Sequence, residues 1–121
     1  MADTRSPLIA LGALNAALAV AAGAFAAHGL RDRLEARALE VFETGARYHF
    51  YHALAMILVG VMVLRGASTA GWLFQGGIVV FSGSLYALAL TDVKLLGAIT
   101  PIGGLAFLAG WLWLAWSAWR H

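Results

Sequence analysis

The residues best equipped for chemistry in this chain are three histidines, His28, His49 and His52. His49 and His52 stand three positions apart, so on a helix their imidazoles share one face. With His28 they make the minimum donor set for a metal ion, or for axial ligation of a haem. The set lacks support. The chain has no cysteine, and no carboxylate motif of the HExxH or ExxH kind accompanies the histidines. The hydroxyls of Ser82, Ser84, Tyr86 and Thr100 fall in or beside apolar stretches, where polar groups turn toward a bundle interior or water. Nothing completes a nucleophile–base pair, a carboxylate dyad or a phosphate loop. The expectation is a polar pocket of His28, His49, His52, Ser82, Ser84, Tyr86 and Thr100, with no catalytic residue, no metal ligand and no cofactor.

The elements that must position these side chains are strongly apolar. Of 121 residues, 62% are hydrophobic and 12% charged, against about 45–50% and about 25% in a soluble domain. The length suits one domain, residues 1–121. A net charge of +2 provides no basic stripe, so no nucleic-acid partner is expected. Residues 7–27 carry no formal charge; at about 1.5 Å per residue they span roughly 30 Å, the thickness of a bilayer's hydrocarbon core. Similar runs occupy 48–64, 72–90 and 99–119. Residues 30–47 differ. They pair Arg31 with Glu35, Arg37 with Glu40 and Glu43 with Arg47 at helical spacing, beside Leu30, Leu34, Ala38, Val41 and Phe42. That pattern predicts a short amphipathic helix on the membrane surface. Lipid excludes open strands, and a barrel needs at least eight alternating ones. The fold class is therefore all-α: an integral membrane four-helix bundle with a surface helix between spans 1 and 2.

Arg5, the first apolar run and the Ala22-Gly23-Ala24 stretch imitate a signal peptide. The run exceeds the 7–15 residues of such a segment, so a retained span is expected. Four spans put both termini on one side. The five tryptophans then lie toward that terminal side, where an aromatic belt accounts for them. The tyrosines, His28, His49, His52 and the candidate hydroxyls lie toward the opposite, loop side. Lys and Arg number five on the loop side and three on the terminal side, a bias that leaves orientation open. Asn15, mid-span, is expected to pair with a neighbouring helix, and Gly12/Ala16 and Ala19/Gly23 to permit close helix approach. Pro101, Gly103 and Gly104 predict an irregular start to the fourth span.

Several segments match a known pattern. GAFAAHGL at 23–30 resembles a GAFGAHGL signature, with Ala26 in place of its glycine. TGARYHFYHALA at 44–55, FSGSLY at 81–86, TPIGG at 100–104 and Gly110-Trp111 follow in order. The chain thus resembles the small membrane proteins called domain of unknown function 423. The resemblance implies a multi-pass, four-span protein of the plasma membrane, the bacterial inner membrane, and brings no reaction or ligand. The primary functional expectation is a non-enzymatic bundle binding membrane lipid, a small molecule, or a partner that is another membrane protein or a second copy forming a homo-oligomer. The alternatives are a transporter or channel component, and a histidine-based metal or haem protein.

Overall fold

Ser6 starts the first helix. Its hydroxyl accepts the Ile9 N–H at 3.3 Å, and Pro7 follows in the first turn, where its missing N–H has no partner to lose. The computed structural model describes residues 6–120; Arg5, with its signal-like context and its place in the charge bias, and His121 lie outside them. Helix α1, Pro7–Phe25, continues through a π-helical turn, Ala26–Leu30. The N–H groups of Arg33 and Leu34 both bond to the Leu30 carbonyl and turn the chain. Helix α2 spans Ala36–Val61. Gly66 then takes φ +84°, the left-handed region that favours glycine, and opens α3, Ala67–Gly77. A second π-helical turn, Ile78–Ser82, joins α3 to α4, Gly83–Thr91, in one helical run. Asp92 ends that run in the left-handed region, at φ 58°, and α5 follows as Leu95–Arg120.

Three helical runs are long and apolar enough to cross a membrane: Pro7–Leu30, Ala67–Thr91 and Leu95–Arg120. Their outer faces expose Leu14, Leu18, Leu105 and Leu108, each more than half accessible. A soluble protein rarely leaves so much contiguous apolar surface in water.

Three sequence expectations change. The surface helix expected at 30–47 and the span expected at 48–64 are not separate: α2 runs unbroken from Ala36 to Val61. A change from charged to apolar composition does not interrupt i→i−4 hydrogen bonding. The one weak former near the expected boundary, Gly45, is buried beneath Tyr86 and Leu85. Nor do the paired charges of that segment close: among the described residues the ion pair within 4 Å is Lys94–Asp92, at 2.7 Å and highly exposed. Solvated partners gain too little from each other to hold their side chains together. Finally, the fourth span is regular through Pro101, the seventh residue of α5. A proline there gives up its own bond to the Gly97 carbonyl, and the helix continues on either side of it. The irregular backbone lies across the interface instead, in the π-helical turn Ile78–Ser82.

Close backbone approach sets the packing. Gly12 meets the Ala53 carbonyl and Ile57, Gly60 meets Ile9, and Phe25 meets Phe42 edge-on at 6.3 Å. These contacts lay α2 antiparallel along the length of α1. On the other side, Gly103 meets Phe81, Phe107 meets Gly77 and Gly110 meets Phe74. Each pair keeps one register, so α5 lies antiparallel to the α3–α4 run. The main core gathers Leu8, Met56, Val59, Phe74, Ile78 and Phe107. A smaller core at the loop end holds Ala26, Leu30, Phe42 and Ala89.

Candidate functional site: a polar network in the middle of the bundle

Because α2 begins at Ala36, its histidines lie deep. His49 is the fourteenth of 26 residues and His52 the seventeenth, roughly 20 and 24 Å along the helix. Both are buried. In that setting every polar atom needs a protein partner, since an unsatisfied group in lipid costs several kcal/mol.

The partners form two sets. In the first, Asn15 Nδ2 donates to the Leu11 carbonyl at 2.9 Å and to Gln75 Oε1 at 2.7 Å. A backbone carbonyl only accepts, so the amide nitrogen of Asn15 must face Leu11, and its oxygen faces His49 Nε2 at 2.9 Å. His49 therefore carries its proton on Nε2. Its Nδ1, 2.9 Å from Tyr86 Oη, accepts the phenol proton. The chain Gln75–Asn15–His49–Tyr86 thus joins α3, α1, α2 and α4. In the second set, His52 Nδ1 lies 2.8 Å from the Tyr48 carbonyl and must be the protonated nitrogen. Its Nε2 accepts the Trp111 indole N–H at 3.0 Å. The ring stacks on Phe107, with centroids 3.5 Å apart and planes within 5°. The two histidines are opposite tautomers, each neutral, with both nitrogens engaged.

The other candidates fasten helices together. Ser82, fully buried, donates to the Gly45 carbonyl at 2.8 Å. Ser84 and Thr100 share a 2.6 Å bond between α4 and α5, and Thr100 also donates to Leu96 in its own helix at 3.1 Å. His28 is exposed on the first π-helical turn and joins neither set. Among the described residues no three histidines or carboxylates converge as metal ligands. Apart from His28, the candidates therefore serve as tie points within and between helices; none lines the loop-end cavity of about 610 Å³.

Two members escape sequence reasoning. Gln75 was detectable as a polar residue within an apolar run. Trp111 was not, because a tryptophan near a helix end reads as part of an interfacial belt. It stands at the seventeenth residue of α5, level with His52 at the seventeenth of the parallel α2. Trp113 Nε1, by contrast, donates to the Gly66 carbonyl at the terminal side.

An all-helical bundle with lipid-facing leucines outside and a largely buried polar network inside defines an integral membrane protein whose inner polar groups bind one another. The chain belongs to the family described as protein of unknown function (DUF423), whose model matches residues 22–104. It is 47% identical over 118 residues to the UPF0382 membrane protein YwdK of Bacillus subtilis (strain 168), covering 93% of this chain and 96% of that one. A UPF0382 membrane protein of Staphylococcus saprophyticus is 50% identical over 109 residues, covering 88% and 91%. One from Staphylococcus epidermidis (strain ATCC 12228 / FDA PCI 1200) is 51% identical over 107 residues, covering 86% and 88%. No solved structure matches the chain.

Proposed function

We propose that this protein is a four-span bundle of the bacterial plasma membrane that binds rather than catalyses, its ligand being a lipid, a small molecule or a membrane partner. The observation that carries this reading is the saturation of His49 and His52. Each ring nitrogen already holds a partner at 2.8–3.0 Å. A general base needs a free lone pair within reach of a substrate proton, and a metal ligand needs one aimed at a vacant position. Neither ring offers one without breaking a bond between helices. The test is turnover. Purified protein is expected to leave candidate substrates unchanged, with His52→Gln altering stability alone; a substrate consumed by the native chain and spared by that variant would refute the reading.

The fourth crossing is α2. At 26 residues it is about 39 Å long, and its antiparallel contacts with α1 extend from Phe42 to Gly60. A helix bound along its length to a spanning helix crosses with it. Its charged first turns then sit at the loop-side headgroups, and Tyr51, Leu54, Leu58 and Val61, all exposed, meet lipid. Single cysteines at positions 33, 68 and 93 test this with a membrane-impermeant thiol reagent. Positions 33 and 93 are expected to label from one side and 68, exposed in the first turn of α3, from the other; labelling of 33 and 68 from the same side excludes a spanning α2.

A further inference from the structure

The loop-end cavity is unrelated to the polar network and has a different character. About 610 Å³ in volume, it falls within the size range of small-molecule sites. It lies where α2 begins and where α4 gives way to α5, the level at which apolar helices emerge from hydrocarbon. Its apolar lining comes from Leu34, Val41, Leu88 and Ala89; Arg33 and Arg37 stand at its edge. Of the other charged lining groups, Asp92 and Lys94 neutralise each other at 2.7 Å, which leaves two guanidinium groups against the single carboxylate of Glu35. Among the described residues neither arginine forms an ion pair. A guanidinium presents paired N–H groups that match the oxygens of a phosphate.

We propose that this cavity is a binding site for a phosphodiester headgroup, with Arg33 and Arg37 holding the phosphate and Leu34, Val41, Leu88 and Ala89 covering the ester and first methylenes of an attached chain. The inference rests on the reading of the protein as a binder, and it names the site and the chemistry. An intact phospholipid and a water-soluble ester such as glycerol 3-phosphate share an anionic phosphate, a diester in the first and a monoester in the second. The apolar lining beside the cationic edge favours the lipid, since a soluble ester has nothing to place there.

The test is native mass spectrometry of the full-length chain in mild neutral detergent, titrated with phosphatidylglycerol, phosphatidylcholine or glycerol 3-phosphate. One phospholipid per chain is expected to remain bound. R33Q/R37Q is expected to lose at least tenfold in affinity, while R31Q/R47Q, which removes two exposed cations outside the cavity, stays within twofold. Tight binding of glycerol 3-phosphate with the same arginine dependence, and none of either lipid, supports the phosphate site and assigns it to soluble esters. Equal losses in both double variants, or no binding by any probe, overturn the site. Because turnover is not measured, such a failure leaves the binding-versus-catalysis question to the His52 experiment and is distinguishable from it.

Discussion

Replacing Gly103 by alanine is expected to break the packing of α5 on the third helical run. A Cβ at this position would sit 2.3 Å from the Phe81 nitrogen and 2.7 Å from its Cα. Those are backbone atoms of the π-helical turn, so no side-chain rotation relieves the clash and the two helices must separate. Separation also pulls apart Ser84 and Thr100, one turn away. Overpacking commonly costs 1–3 kcal/mol, and a backbone clash in two otherwise rigid helices lies at or beyond the upper end, about 3 kcal/mol or more. The neighbouring glycine supplies the control. A Cβ at Gly104 would find its nearest atom, Phe81 Cδ2, at 3.8 Å, an ordinary contact. Alanine is preferred to glycine within a helix by about 1 kcal/mol, so Gly104→Ala should hold or raise stability. Reversible unfolding of the two variants in mixed micelles reads both effects. Equal behaviour of the adjacent substitutions would show that α5 does not rest on the turn in this register.

Asn15→Leu is expected to be the second severe change, for an electrostatic reason rather than a steric one. The amide links α1 to Gln75 and His49, so its loss strands the His49 Nε2–H and the Gln75 oxygen inside the bundle. A hydrogen bond between membrane helices is worth only about 0.6 kcal/mol on average. An orphaned buried group costs more, about 1–3 kcal/mol, so the orphans dominate and a total loss of about 2–4 kcal/mol follows. The same logic predicts partial rescue. With His49→Leu and Tyr86→Phe added, the polar members in α2 and α4 also disappear and Gln75 alone stays stranded, so the triple variant should lose less stability than the three single losses summed. Additive losses in a mutant cycle would mean that Asn15, His49 and Tyr86 act independently.

Much of this architecture was legible in the chain because bilayer physics leaves little choice. A 21-residue run without charge, residues 7–27, becomes a helix in lipid whatever surrounds it, since no other backbone arrangement satisfies its own hydrogen bonds. The three apolar crossings, the all-helical class and the family motifs all follow from local composition. Asn15 was readable as an interhelical contact for the same reason: a polar amide mid-span must find a partner.

The site was less legible, because depth and partnership belong to the assembled helices. His49 and His52 stand where charges give way to apolar residues, and so read as interfacial. The unbroken α2 puts them midway, where α1, α4 and α5 supply their partners. Trp111 reads as an interfacial anchor, yet the parallel register of α2 and α5 brings its indole to His52. Pro101 and Gly103 read as an irregular start to α5, but the π-helical backbone lies in the turn that Gly103 faces. Composition alone determines that this chain crosses a membrane as helices, because desolvating unpaired backbone is prohibitive over any apolar stretch. Which polar atoms meet, and hence which tautomer each histidine adopts, was decided only by tertiary structure, because hydrogen bonds between helices depend on rotations and offsets that no single helix encodes.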